Sequence, residues 1–354
     1  MPSLVEAQRR HALHYLEVVR KADRLYKQGG TAVYSALNMF AVELTNILAA
    51  LTWAEQNLRE CEVAATICKT LPNAGAQLFE LLFSPRERLR WLETGLNAAC
   101  RLNDRKASAW HMGNIGVALL NLSDTRGAID YSNATLTMCR GIADRSGEAR
   151  ALGNLGLAYN ELRQAQRAID YLEQALAIAE DIGDRHYVGV LYGSLGSAYL
   201  ILGQQDAAIR FYEKSMVMAH KHGSYRGACV ILNNASLVCL DRGDFARAIR
   251  LAERALHLSR RLGDRQTEME ALNSIGLVHL NLGNPQSAAE VFDATLAISH
   301  EIGDRRGEAN ALYNKSLVLL AVGEAGEGSA LTEIALSILK EIDDTSRPSP
   351  KGSA

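Results

Sequence analysis

The stretch that decides the fold is EARALGNLGLAYNELRQAQRAIDYLEQALAIAEDIGDR, which runs from Glu148 to Arg185. Its apolar residues recur at spacings of three and four, as they do on one buried face of a helix. The stretch ends in a turn, Gly183-Asp184-Arg185, that the chain uses again. The sequence therefore predicts a unit of two helices, helix A and helix B, closed by this turn.

The turn recurs every 40 residues without insertion. Its copies are Asn103-Asp104-Arg105, Ala143-Asp144-Arg145, Gly263-Asp264-Arg265 and Gly303-Asp304-Arg305, with a degenerate copy at Gly223-Ser224-Tyr225 and a final Asp343-Asp344. A fixed period of this length is the signature of a repeat architecture. A helical pair of this size cannot bury its own apolar face, so stacked neighbours must bury it.

Further columns keep the same period. Small residues stand at Gly116, Gly156, Gly196, Ser236, Gly276 and Ser316, and again at Ala128, Ala168, Ala208, Ala248, Ala288 and Gly328. We expect helix backbones to approach closely there. Glycines such as Gly203 and Gly243 follow helix A and predict left-handed C-caps, while the aspartate of the longer turn predicts an N-cap.

Composition bounds the classes of function. The 354 residues are 48% hydrophobic and 22% charged, with a net charge of −2. The charge balance predicts no nucleic-acid partner. No run of 18 apolar residues occurs and the first residues are charged, so no membrane partner and a cytoplasmic location are expected. The six cysteines form no CxxC pair and predict buried thiols in a reducing compartment.

Catalytic and metal-binding motifs are absent from the sequence. There is no HExxH, no GxSxG and no phosphate-binding glycine loop. Carboxylates such as Glu173, Asp181 and Asp184 recur with the repeat or lie on expected exposed faces, which favours a structural role. We therefore predict no catalytic residue, no metal, no cofactor and no enzymatic activity.

These residues resemble the 40-residue variety of the tetratricopeptide repeat. The resemblance covers about 106–345 and implies an all-α, right-handed superhelical solenoid of antiparallel helix pairs, with the A helices lining a concave groove. The expected domains are an irregular helical segment at 1–83, a solenoid at 84–345 with six full units from about 106, and a disordered proline- and serine-rich tail at 346–354.

The first 83 residues depart from the period. We predict helices near 5–27, 32–56 and 58–70, a break at Leu71-Pro72-Asn73-Ala74-Gly75 and a short helix ending at Phe83. This segment resembles the region before the repeats in bacterial signal-transduction ATPases with numerous domains, at Asn46-Ile47 and Ala50-Leu51-Thr52-Trp53-Ala54. Since no GxxxxGK[ST] loop is present, the chain is either the sensor end of a longer protein or a stand-alone relative.

A polar column lies two residues before the first small column, at Asn114, Asn154, Ser194, Asn234, Ser274 and Asn314. An apolar core would not repeatedly choose groups that need hydrogen-bond partners. Kinesin light chains and partner-of-inscuteable adaptors carry asparagine at the matching place, and this resemblance implies groove contacts. The alternative is that these side chains cap or bridge adjacent A helices.

One helical turn earlier the column varies in character: Trp110, Arg150, Val190, Val230, Glu270 and Asn310. Such variation is expected of a surface fitted to one ligand. Arg150 matches an arginine that adaptors of the partner-of-inscuteable type place in their groove. Trp110 is either an exposed anchor or a packing residue against the preceding repeat.

The predicted function is a non-catalytic scaffold or sensor that binds a protein or an extended peptide in the groove. Replacing Asn154 and Asn234 with alanine should then weaken binding at nearly unchanged stability. Two alternatives are a self-associating structural scaffold, and a sensor for a small ligand or signalling peptide within a multidomain regulator.

Overall fold

The computed structural model describes residues 4–28, 32–222 and 225–345. Within these ranges the regular structure is helical throughout, without a strand, so the predicted all-α class is confirmed. The degenerate turn at Gly223-Ser224 and the predicted tail at 346–354 lie outside the described residues.

Within the described residues, five helices precede the full repeat units. They are α1 (Leu4–Gln28), α2 (Ala32–Asn57), α3 (Glu62–Ala74), α4 (Ala76–Leu82) and α5 (Pro85–Arg101). The predicted break at Leu71–Gly75 is wrong in extent, because α3 continues through Pro72 and ends before Gly75. Leu71 and Pro72 are both buried, and this burial holds the last turn helical although Pro72 lacks an N–H to donate.

The N-terminal helices share one apolar core. Phe40 and Ile47 are fully buried in it, and Phe79 packs its ring 5.3 Å from that of Trp91. The segment Ala50–Ala54 contributes Ala50, Leu51, Trp53 and Ala54 to the same core. By length and apolar composition alone, α2 is the one described helix that would suffice to cross a membrane, and its core-facing residues are buried against α1 and α3.

In the described part of the chain from residue 105 to 345, twelve helices of regular length follow in pairs. They are α6 (Arg105–Asn121), α7 (Thr125–Gly141), α8 (Arg145–Glu161), α9 (Ala165–Asp181), α10 (Arg185–Ile201), α11 (Gln205–His222), α12 (Tyr225–Asp241), α13 (Phe245–Leu262), α14 (Arg265–Asn281), α15 (Pro285–Ile302), α16 (Arg305–Ala321) and α17 (Ala325–Thr345). Even-numbered helices are the A helices of the units, and odd-numbered ones are the B helices. Their connections are so short that consecutive helices must run antiparallel.

Caps fix where these helices begin and end. Gly203 and Gly243 follow A helices with φ of 74° and 75°, the left-handed conformation that glycine adopts without strain. Asp244 accepts a hydrogen bond from the N–H of Arg247, and Asp264 accepts one from Thr267. Both predicted capping roles are confirmed.

The first small column marks the contact of helix A with helix B. A Cβ added at Gly276 would lie 2.4 Å from Phe292 Cε1, and one at Gly196 would lie 2.6 Å from Tyr212 Cδ1. Ser236 fits the same position because its Oγ donates to the carbonyl of Ala248 at 2.7 Å. The predicted close approach of the two helices is therefore confirmed.

The chain forms two compact units. The first unit comprises Met1–Ala118 and Asp130–Asn154, and the second comprises Leu119–Ile129 and Leu155–Ala354. The first contains the core of α1 to α5. The second contains smaller clusters repeated from one helix pair to the next, such as Ala288, Phe292 and Val318. The domain boundary predicted between residues 83 and 84 stays a prediction.

Candidate functional site

The variable column of the A helices lies mostly in solvent. Arg150 and Asn310 are exposed, and Val190 and Val230 expose 41% and 37% of their surface although both are apolar. Trp110 and Glu270 are half-buried. In the second unit, four consecutive A helices thus carry one residue of the variable column each.

In the first unit the polar column joins two A helices. Asn154 Nδ2 of α8 donates to the carbonyl of Gly113 in α6 at 3.1 Å. Asn114 Nδ2 instead donates within its own helix, to the carbonyl of Trp110 at 2.8 Å. Asn154 therefore bridges neighbouring helices, as the structural alternative expects.

Trp110 packs toward the elements that precede the repeats. With Phe79, Trp91 and Asn114 it lines a recess of about 20 Å³, and its ring centroid lies 5.0 Å from that of His111. A recess of this size holds no side chain of a ligand. The geometry favours packing over an exposed anchor for Trp110.

In the second unit the polar column bridges three successive pairs of A helices. Asn234 Nδ2 donates to Ser197 Oγ at 3.2 Å and thus links α12 to α10. Further along, the donors Ser274 and Asn314 are buried; the bonds are Ser274 Oγ to Asn233 Oδ1 at 2.7 Å and Asn314 Nδ2 to Asn273 Oδ1 at 2.6 Å. Ser194 is buried and bonds within its helix, to the carbonyl of Val190.

The acceptor residues Asn233 and Asn273 were missed by the sequence analysis. Each stands one residue before a member of the polar column and accepts from the helix that follows, 41 residues later. The signal was present, because asparagine at both positions keeps the 40-residue period. A groove-lining role for the polar column stays a prediction, while its hydrogen bonds favour bridging of adjacent A helices.

An ion pair joins two A helices that are distant in the sequence of the second unit. Arg306, at the start of α16, donates to the carboxylate of Glu161, at the end of α8, although 145 residues separate them. Their side chains are 32% and 49% exposed. The C-terminal end of α8 and the N-terminal end of α16 therefore lie within reach of one side-chain ion pair.

Two buried cysteines have strongly shifted pKa values. Burial raises the pKa of the Cys68 thiol to about 12 and that of Cys139 to about 11, which leaves both thiols protonated and unreactive. None of the six cysteines forms a disulfide bond. Among the described residues, no three His, Cys, Asp or Glu side chains converge as metal ligands.

Comparison with known proteins identifies the class. The model of the tetratricopeptide repeat family matches residues 105–181, 147–221, 187–261 and 227–299, which together span more than half of the chain. The chain therefore belongs to the tetratricopeptide repeat family, and the predicted solenoid class is confirmed. No curated protein sequence matches significantly.

Three solved structures illustrate the shared fold. A Rap protein complexed with Competence and Sporulation Factor is 10% identical, with a TM-score of 0.64 over 97% of this chain and 99% of that one. The Rap conjugation regulator of plasmid pLS20, complexed with a Phr peptide, is 13% identical, with a TM-score of 0.62 over 94% and 97%. Identities this low establish similarity of fold alone.

The third structure is a signal-transduction ATPase with numerous domains from Pyrococcus horikoshii, which carries a tetratricopeptide repeat sensor. It is 15% identical, with a TM-score of 0.52, and the similarity covers 97% of this chain and 55% of that one. The resemblance noted for the N-terminal segment is thus accompanied by a similarity of fold along nearly the whole chain.

Proposed function

We propose that this protein is a non-catalytic, cytoplasmic signalling scaffold or sensor that binds an extended peptide segment of a partner along the exposed faces of its A helices. The observation that carries the proposal is the variable column of the second unit, where Val190 and Val230 leave apolar surface exposed beside Glu270 and Asn310. Isolated exposed valines are ordinary, but these two stand at the same position of successive repeats, 40 residues apart.

The chemistry of this column fits an extended chain. The valines offer apolar contact to alternate side chains of a peptide, and Glu270 and Asn310 offer hydrogen bonds and charge. The polar column beneath them holds successive A helices at a fixed separation, so the recognition side chains are positioned before a ligand arrives. Rigid positioning lowers the entropic cost of binding.

Two proteins of similar fold support this class of ligand. The Rap protein was crystallised with Competence and Sporulation Factor, and the pLS20 regulator with a Phr peptide. The fold of the Pyrococcus protein, in which such repeats form a sensor, supports a role in signalling.

The test changes the two exposed valines. The variant Val190→Asp/Val230→Asp should lose a partner that the wild type captures from lysate of the source cell, because charge replaces apolar contact surface. The matched control is Leu202→Asp/Leu282→Asp, which alters two exposed leucines, at 41% and 48%, in the turns after α10 and α14. Captured proteins are quantified by mass spectrometry, and binding is repeated with the purified partner by calorimetry.

A partner retained by the control and lost by the valine variant supports the proposal. Equal capture by both variants, with unchanged circular dichroism, would place recognition away from this column and overturn it.

Self-association is a second candidate, favoured by one observation. The last described helix, α17, exposes 57% of Leu336 and 49% of Ile334. On the preceding B helix, α15, the residue equivalent to Leu336 is Leu296, which is half-buried. The residue equivalent to Ile334 is Ala294, whose side chain is smaller. Sedimentation velocity over a range of concentrations tests it: a dimer that Leu336→Glu dissociates supports association through α17, and a monomer at all concentrations excludes it.

A further inference from the structure

Two consecutive B helices, α11 and α13, differ from the others at three repeat positions. On α11 these positions hold Arg210, Lys214 and Val217, and on α13 they hold Arg250, Arg254 and His257, all exposed. The matching residues on the other B helices of the full units are Asp130, Ala134 and Thr137; Asp170, Gln174 and Ala177; Glu290, Ala294 and Ala297; and Ala330, Ile334 and Ser337. We call the six residues on α11 and α13 the basic face.

The two helices of the basic face meet over one apolar floor. Leu232 of α12 is buried in a cluster to which Met216 of α11 and Leu251 of α13 both contribute. At the other end, Arg242, just before α13, donates to Gln205 of α11 at 3.1 Å. Side chains of both helices therefore pack against α12, and equivalent repeat positions on α11 and α13 are 40 residues apart.

A concavity opens on this floor. It has a volume of about 500 Å³, and its described lining comprises Leu232, Leu258, Arg250, Glu253, Arg254 and His257. Apolar side chains form its base, and charged side chains form its rim. Val217 adds an apolar residue that is 55% exposed on the adjacent helix.

The positive charges of the basic face are not neutralised from within. Among the described residues Arg210, Arg250 and Arg254 form no ion pair, whereas Arg260 and Arg265 at the end of α13 and the start of α14 both bind Glu268. Glu213 and Glu253 stand on the same stretches, which leaves an excess of two positive charges. Arginines four residues apart on a helix repel each other.

Lys214 is held in place by aromatic rings. Its Nζ lies 5.2 Å from the ring centroids of both Tyr192 and Phe211. These cation–π contacts orient the ammonium group and leave it exposed. The basic face is thus partly organised before any anion approaches.

We propose that the basic face binds an acidic, amphipathic segment of a partner protein. Carboxylates of the segment pair with Arg250, Arg254 and Lys214, and its apolar side chains enter the concavity above Leu232. A recessed apolar base suits a peptide better than nucleic acid, whose backbone offers no apolar side chains, and a concave floor does not fit a flat membrane. This surface lies on the B helices and is independent of the proposed groove on the A helices.

The test uses a fluorescent peptide with glutamates and leucines on opposite faces of a helix, measured by anisotropy against the full chain. The wild type should bind it, raised salt should weaken binding, and a version with lysine in place of glutamate should not bind. Arg250→Glu/Arg254→Glu should lower the affinity by about tenfold or more. The milder Arg250→Gln/Arg254→Gln should give a smaller loss.

The matched control is Arg86→Glu/Arg126→Glu, which changes the net charge equally at exposed arginines outside the basic face. It should alter the affinity by less than about twofold. No binding of the peptide by the wild type, or equal losses in both charge-reversal variants, would overturn the proposal. Tighter binding of single-stranded RNA or of anionic vesicles, lost in the Arg250/Arg254 variants, would also overturn it by assigning the face to another class of anion.

Discussion

The buried amide of Asn314 illustrates what the polar column does at the scale of a single residue. Its Nδ2 donates to Asn273 Oδ1 in the preceding A helix, in surroundings where only 7% of Asn314 is exposed. A buried polar group that loses its partner costs more free energy than the bond contributes. The asparagine therefore fixes which residues of α14 and α16 can face each other.

Replacing Asn314 with alanine should lower the free energy of unfolding by about 1–2 kcal/mol, because Asn273 loses its donor. The measurement is urea denaturation followed by circular dichroism. The control is Asn310→Ala, one turn earlier and exposed, which should change the stability by less than about 0.5 kcal/mol. Equal effects of the two substitutions would contradict a bridging role for Asn314.

His111 should make the first unit sensitive to acid. It is fully buried, its Nε2 lies 2.9 Å from the carbonyl of Lys69, and burial lowers its pKa from 6.5 to about 4. Between these two values the unfolded chain binds a proton that the folded chain does not. Stability should therefore fall as the pH drops from 6.5 to 4, by up to about 1.4 kcal/mol per pH unit.

The variant His111→Gln keeps a donor for the carbonyl of Lys69 but cannot titrate. Urea midpoints measured between pH 7 and pH 4.5 should give a shallower pH dependence for this variant than for the wild type. Parallel curves would show that His111 is not responsible.

At the scale of elements, several helix pairs place a glycine of one helix against a large side chain of the other. Gly276 of α14 leaves room for Phe292 of α15, which is fully buried. The pair α10 and α11 repeats this arrangement with Gly196 and Tyr212. The large side chain differs from unit to unit, while the small partner is kept.

The variant Gly276→Ala should destabilise the protein by about 1–3 kcal/mol, since the added Cβ would overlap the Phe292 ring. Gly326→Ala is the matched control, because a Cβ there meets nothing within 4 Å. Within α17 that substitution should stabilise by about 0.5–1 kcal/mol. Thermal unfolding should show a lower melting temperature for Gly276→Ala and a higher one for Gly326→Ala. A higher melting temperature for Gly276→Ala would refute the packing argument.

Helix pairing could be predicted from the sequence because glycine and aspartate act locally. Gly203 adopts a positive φ without strain and the side chain of Asp264 caps the helix that follows it, and both preferences are local. The end of α3 could not be predicted in the same way. There the burial of Leu71 outweighs the local effect of Pro72, and burial depends on helices far away in the sequence.

The candidate site was less predictable for the same reason. Periodicity located the columns at Asn234 and Val230, since both follow from helical geometry. Periodicity could not decide whether Asn234 bonds a ligand or an adjacent A helix. The observed acceptor, the hydroxyl of Ser197, lies in the preceding repeat, and only the folded structure brings it close. The excess charge of α13 was visible in the sequence, but the concavity beside it was not.

At the scale of the whole molecule, the second unit contains one contact that the period does not explain, between Arg306 and Glu161. Every other bridge described above joins neighbouring repeats. This pair instead joins helices that are four repeat units apart in sequence. Its formation therefore depends on the combined geometry of all the units between α8 and α16. Because both side chains are partly exposed, it adds little stability by itself.

A double-mutant cycle with Glu161→Gln and Arg306→Gln should give a coupling free energy of about 0.2–1 kcal/mol at low salt. The coupling should fall toward zero in about 1 M NaCl, because salt screens exposed charges. Urea denaturation of the four proteins measures it. A coupling of zero at low salt would show that the two side chains do not interact in solution.

The bridge from one A helix to the residue 41 positions earlier also bears on how such a chain is assembled over evolution. Because Ser274 and Asn314 each use an acceptor 41 residues earlier, in the unit before, these two bonds require one intact unit to follow another. Duplication or loss of one complete unit preserves this spacing between donor and acceptor, whereas gain or loss of part of a unit changes it. The chain is therefore built to change its length in whole repeats, and the span of ligand it can accommodate would change in equal steps.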